Sequence, residues 1–168
     1  MSNRETTACF TGHRKLREPA AEITGRIIET VESLIQSGYQ TFCAGGARGF
    51  DALASEAVLT LQARYPQINL VLTLPFYNQY RFERGWSEAE IEQYHRFQEK
   101  AAQTTMLSQD FRGGMYHQRN RMLVDASSVC IAYKIRNKSG TGYTVGYAQE
   151  EGLRIINLAD PVAKSDKI

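Results

Sequence analysis

Seven consecutive residues combine three glycines, an arginine and a carboxylate: Gly45, Gly46, Ala47, Arg48, Gly49, Phe50 and Asp51. Glycine lets the backbone adopt positive φ and pass close to a ligand. A helix that starts just after such a loop offers unpaired N–H groups and the positive end of its dipole. The pattern therefore suits an anion. Its spacing, GGxxGxD, is neither a Walker loop nor the dinucleotide fingerprint, so a plain strand-to-helix turn stands beside the anion site as a reading. A carboxylate repels phosphate, so Asp51 either caps the helix or accepts hydrogen bonds from ribose hydroxyls. Arg48 has the charge of a phosphate partner; its alternative is a solvated loop arginine.

Three further groups have related chemistry. Ser139, Gly140, Thr141, Gly142, Tyr143 and Thr144 repeat the glycine-loop logic, with the hydroxyls of Ser139, Thr141 and Thr144 able to bind phosphate or cap a helix. Gly12, His13 and Arg14 follow the first apolar run, and His13 reads as an acid or base, a hydrogen-bonding group, or a loop histidine without a catalytic role. Arg119, Asn120 and Arg121 lie in a helical stretch. There Arg119 shares a face with Met115, Met122, Leu123 and Ala126. An arginine on an apolar stripe needs a partner, either a ligand phosphate or an internal carboxylate. Arg121 stands four residues before Asp125, the spacing of a helix-surface ion pair. Asn120 offers a donor and an acceptor, and suits tying loops together.

These groups need a scaffold. Apolar runs at 6–11, 40–44, 69–74, 104–107, 128–133 and 154–158 read as strands. Helices are predicted over 20–37, 50–65, 88–102, 115–126 and 143–151. In the first, Ile23, Ile27, Val31 and Leu34 fall at helical spacing, Pro19 suits the start and Gly38 the stop. Residues 76–87 are irregular and aromatic. Trp86 reads as packing material, and Gln79 has no assigned role. Near-continuous apolar strands alternating with helices imply an α/β fold: a Rossmann-like, open, mostly parallel sheet with helices on both faces. Ligands of such sheets sit beyond the carboxyl ends of the strands, where the glycine loops converge. The reading is one domain over 1–160, with 161–168 as a flexible tail.

The bulk numbers agree with one domain. The chain has 168 residues, 42% hydrophobic and 23% charged, with a formal net charge of +2. That balance argues against an obligate nucleic-acid binder and leaves only a local patch from Arg14, Arg48, Arg119 and Arg121. No apolar run is long enough to span a bilayer, and the first residues lack the core of a signal peptide. Cys9, Cys43 and Cys130 sit in apolar runs without a CxxC pattern. They read as buried free thiols of a cytoplasmic protein with no metal site.

Taken together, the phrases resemble the YpsA-like branch of the SLOG superfamily, which joins DprA/Smf DNA-processing proteins with LOG-type phosphoribohydrolases. TGHR (11–14), AGGARGFDALASEA (44–57), LPFYNQYRFERGW (74–86), RNRMLVDAS (119–127) and SGTGYTVGYA (139–148) occur in family order over nearly the whole chain. The resemblance implies a Rossmann-like sheet, a homodimer and a nucleotide-derived ligand such as ADP-ribose or NAD. By that analogy the ligand loops match Gly12, Gly45, Gly46, Gly49, Asp51, Arg119, Gly140 and Thr141. No other cofactor is implied.

The chain departs from the hydrolase branch at one place. LOG-type proteins resemble one another in a PGGxGTxxE loop whose glutamate assists glycosidic cleavage. With Gly140 and Thr141 on the GT pair, Thr144 stands where that glutamate would be. Threonine cannot supply the carboxylate that stabilises an oxocarbenium-like state. The leading expectation is thus a ligand sensor. The alternatives are an N-glycosidic hydrolase using Asp51 or His13, and DprA-like binding of single-stranded DNA.

Overall fold

The computed structural model describes residues 3–160; the tail expected from 161 lies outside them. Six strands alternate with five helices. They are β1 (Thr7–Gly12), α1 (Ala20–Gln36), β2 (Thr41–Ala44), α2 (Phe50–Leu61), β3 (Asn69–Leu74), α3 (Glu88–Lys100), β4 (Gln103–Met106), α4 (Met115–Asp125), β5 (Val129–Tyr133), α5 (Gly140–Glu150) and β6 (Arg154–Asn157). Short 3-10 turns occupy Arg4–Thr6 and Gln79–Phe82. Every strand pairing is parallel, in the order β4-β3-β2-β1-β5-β6.

Alternation along each strand divides the core in two. Ala8 and Phe10 of β1, Phe42 and Ala44 of β2, and Ile131 and Tyr133 of β5 pack with Ile27, Val31, Val58 and Phe97 from α1, α2 and α3. The intervening residues face α4 and α5, where Leu123, Val124, Val145 and Ala148 cover them. Helices therefore lie on both faces, as a parallel sheet requires. The three cysteines fall on the second face. Cys9 is in register with both Cys43 and Cys130, and all three are buried free thiols. Burial pushes Cys43 up to about 12, and a hydrogen bond with Cys130 together with burial raises Cys9. Neither thiol is a ready nucleophile.

The strand order reverses between β1 and β5. From β1 the chain steps outward through β2, β3 and β4, then returns to the other side of β1. Loops leaving β1 and β5 diverge there and open a crevice at the carboxyl edge.

Most boundaries shift by one or two residues, and two shift by three or more. Helix α2 ends at Leu61 rather than at residue 65. Helix α5 begins at Gly140, three residues earlier than expected. The Ser139 hydroxyl accepts from the Gly142 N–H at 2.9 Å, which caps the helix ahead of its glycines.

Candidate functional site

At the strand-order reversal lies a cleft of about 560 Å³. Its floor is the end of β1, Phe10 to Gly12, and His13, Arg14, Lys15 and Arg17 follow on one wall. Ala47 and Asp51 come from the β2–α2 junction. Tyr116, His117, Arg119 and Asn120 come from α4, and Arg136, Ser139, Gly140 and Thr141 from the β5–α5 loop. Of the residues singled out in the sequence, the structure brings Gly12, His13, Arg14, Asp51, Arg119, Asn120, Ser139, Gly140 and Thr141 to this cleft.

Five residues do not line it. Gly45, Gly46 and Gly49 lie behind the wall and serve close packing. A side chain on Gly45 would meet Arg119 Nη1 at 2.6 Å. Gly49 has φ 75° and ψ −123°, and a Cβ there would collide with the Arg14 carbonyl. Arg48, expected at a phosphate, turns the other way. It donates to the Gly85 carbonyl at 2.8 Å, lies over the Trp86 ring at 5.7 Å and approaches Glu90 at 3.9 Å. Thr144 faces the core and donates to the Gly140 carbonyl of its own helix at 3.0 Å. It is spent on the helix backbone, as hydroxyls inside helices often are.

His13 is a latch between two loops. Its ring Nε2 accepts from the Ile135 N–H at 2.9 Å, while its backbone N–H donates to the Tyr133 carbonyl at 3.3 Å. Burial, and then the positive charges of Arg136 and Arg17, push its pKa down to about 4. The imidazole is thus neutral at pH 7. Because an amide can only donate, Nε2 carries no proton.

Asp51 is buried in the first turn of α2 but is not the N-cap, which is Gly49. Its Oδ2 accepts from the Ala47 N–H at 3.3 Å, folding the glycine loop back on the helix. Burial raises its pKa, opposed chiefly by the Arg119 charge. Arg119 is buried too and its partner is a backbone carbonyl. Nη1 donates to Gly45 O and Nε to Asn120 Oδ1, the latter at 2.7 Å. Asn120 therefore orients Arg119. Burial lowers the Arg119 pKa while Asp51 opposes that shift. Guanidinium basicity is high enough to keep it charged.

The stripe expected around Arg119 is less apolar than its spacing implies, because Met122 is exposed. Nor does Arg121 pair with Asp125. It donates to the Tyr143 hydroxyl at 3.0 and 2.6 Å, and Asp125 accepts from Tyr147 at 2.7 Å. The neighbouring helix offers hydroxyls that compete with the same-helix ion pair.

Sequence reading missed several participants. Glu83 accepts from Arg14 at 3.2 Å, from Trp86 Nε1 at 2.9 Å and from the Tyr116 hydroxyl. Tyr116 in turn sits under Arg14 and Arg119, with guanidinium-to-ring distances of 5.3 and 5.7 Å. Lys15, Arg17 and Arg136 add charge to the cleft. Trp86 packs edge-on to Tyr94 and tilted on Tyr80, away from the cleft. Gln79 is fully buried and donates to the Gly46 carbonyl, holding the glycine loop from behind.

The cleft is unbalanced in charge: Arg14, Lys15, Arg17, Arg119 and Arg136 line it with one carboxylate, Asp51. Of the five only Arg14 forms an ion pair among the described residues, with Glu83 outside the lining. The N–H groups of Gly140 and Thr141, first in α5, have no intrahelical acceptor and add the positive end of the helix dipole. Among the described residues no group of His, Cys, Asp and Glu is arranged to hold a metal ion. No helix among them is long and apolar enough to cross a membrane.

Comparison with known proteins adds independent information. The model of the YspA SLOG family matches residues 12–154. The UPF0398 protein YpsA of Bacillus subtilis is 24% identical over 121 residues, which cover 70% of this chain and 66% of that one. Among solved structures, DNA processing protein A (DprA) of Streptococcus pneumoniae superimposes with a TM-score of 0.65 at 16% identity. The match covers 90% of this chain but 49% of DprA. DprA of Helicobacter pylori, a protein described by its single-stranded DNA binding mode, gives a TM-score of 0.61 at 22% identity, covering 90% of this chain and 64% of that one. The chain thus spans about half to two thirds of these relatives, and the structural likeness is one of fold.

Proposed function

The chain belongs to the YspA SLOG family, and from that premise we propose that its cleft binds a nucleotide-derived anion, such as ADP-ribose or a nucleoside phosphate, without cleaving it. One observation carries the reading: five cationic side chains and the N-terminus of α5 converge on a 560 Å³ space containing one carboxylate. Small-molecule sites typically occupy about 300–1,000 Å³. Cations and helix N-termini suit phosphate. Asp51 is the group able to accept from ribose hydroxyls, and Tyr116 offers a ring for stacking.

Cleavage is the weaker reading on chemical grounds. Glycosidases ordinarily pair two carboxyl groups, whereas Asp51 stands alone here. His13 has its unprotonated nitrogen tied to Ile135, and Thr144 points into the core. A second reading, single-strand DNA binding by analogy with DprA, draws on the same cationic cleft. Thermal unfolding against ADP-ribose, NAD, AMP and short single-stranded DNA separates the three. A native-state ligand raises the midpoint by mass action. Stabilisation with the small molecule recovered intact supports the proposal, released base supports the hydrolase, and stabilisation by DNA alone refutes the small-ligand reading.

A further inference from the structure

Beside the cleft, at the carboxyl ends of β3 and β4, two loops hold aromatic rings open to solvent. Phe82 is 45% exposed, Phe111 53% and Tyr77 47%. The loops are joined by a hydrogen bond from Tyr77 N–H to the Ser108 carbonyl at 3.1 Å. Phe76, fully buried, is the pedestal. Its ring centroid lies 5.2 Å from Phe82, 5.3 Å from Phe111 and 5.4 Å from Tyr116 of the cleft wall. The platform is thus continuous with the cleft through Tyr116.

Its charge is as telling as its rings. Arg81 and Arg84 flank Phe82, and Arg112 follows Phe111; all three are exposed and enter no ion pair among the described residues. Glu83, which would neutralise them, is turned inward onto Arg14, Tyr116 and Trp86. Half-exposed rings, Phe82 tilted on Phe111 with centroids 6.0 Å apart, set among unpaired arginines match the two needs of a flexible polynucleotide. Rings stack on bases irrespective of sequence, and guanidinium groups neutralise the backbone.

We propose that this surface binds single-stranded nucleic acid, with one nucleotide end in the cleft and the following bases on Phe82 and Phe111. The proposal rests on the cleft's affinity for nucleotides but assigns a separate surface. The small net charge of +2 is no obstacle, because Arg81, Arg84 and Arg112 are exposed around the rings and enter no ion pair among the described residues.

The test is fluorescence anisotropy of a short labelled oligothymidylate, together with ADP-ribose binding by calorimetry. The proteins are the wild type and the Phe82→Ala/Phe111→Ala variant, with sedimentation of both. The two rings are exposed, so the variant is expected to fold, and its circular dichroism and melting midpoint verify that. The expected result is oligonucleotide binding that weakens with salt and falls roughly tenfold or more in the variant, with ADP-ribose binding unchanged. Oligonucleotide binding equal in both proteins overturns the platform. So does no oligonucleotide binding by wild type, and if ADP-ribose still binds, the cleft reading survives that failure. Loss of ADP-ribose binding by wild type, with the oligonucleotide result as expected, refutes the cleft reading alone. Self-association of wild type that the variant abolishes, without oligonucleotide binding, would assign the patch to a second copy of the chain instead.

Discussion

The Nε2 of His13 accepts the backbone N–H of Ile135 across 2.9 Å, 122 residues away in sequence. The bond joins the loop after β1 to the loop after β5 and so sets the width of the cleft. His13 is a positioning residue in this account, and its chemistry dictates how the fold responds to acid.

The folded-state pKa of His13, about 4, lies below its ordinary value of 6.5. The unfolded chain therefore takes up a proton that the folded chain refuses. This contribution to stability is complete above pH 6.5 and is lost as pH falls toward 4. Asp51, raised by burial, has the opposite sign in the carboxylate range, so a difference measurement is needed. Denaturant unfolding at pH 7.5 and 4.5 is expected to show wild type losing roughly 1–3 kcal/mol more than His13→Gln, whose amide oxygen keeps the acceptor without titrating. Equal losses in both proteins would remove the latch from the account.

Arg119 is held by the Gly45 carbonyl and Asn120, and its charge is set against that of Asp51. Arg119→Met removes a buried cation and leaves the Asp51 carboxylate uncompensated. The expected cost is about 3 kcal/mol in denaturant unfolding. Combining it with Asp51→Asn should recover part of that loss, because the buried charge goes as well. A single variant as stable as wild type would mean that Arg119 is kept for ligand alone.

The glycines separate into two kinds. Gly49→Ala forces a Cβ into the Arg14 carbonyl at a backbone conformation that side chains avoid, and should cost about 2 kcal/mol or more. Gly140→Ala meets no atom within 4 Å and should leave the melting midpoint unchanged or raised. Melting curves of the two variants compare them directly, and similar midpoints would contradict this division.

The glycines also mark how far the sequence was readable. Apolar runs located all six strands, and the three glycine-containing segments located the carboxyl edge. The direction of side chains was not readable. Arg48 and Asp51 lie three residues apart, yet the helix start at Phe50 sends Asp51 toward the cleft and leaves Arg48 against Trp86. Ser139 set the start of α5 one turn early because its cap tolerates glycine where a helix interior would not. Glu83 was invisible because its partners Arg14 and Tyr116 reach it only through the fold, 69 and 33 residues away. Arg17 and Arg136 joined the site in the same way, from loops that no local pattern links.

The central claim is that the cationic cleft binds a nucleotide-derived anion. Its most direct test is calorimetric titration of ADP-ribose into wild type and an Arg17→Ala/Arg136→Ala variant at low and high salt, with the ligand recovered and chromatographed. Both arginines are exposed on the cleft rim, so the variant should fold. The account predicts binding by wild type that weakens with salt, at least tenfold weaker binding by the variant, and intact ligand afterwards. Folded wild-type protein that binds neither ADP-ribose, NAD nor AMP, or a variant that binds as tightly as wild type, would contradict it.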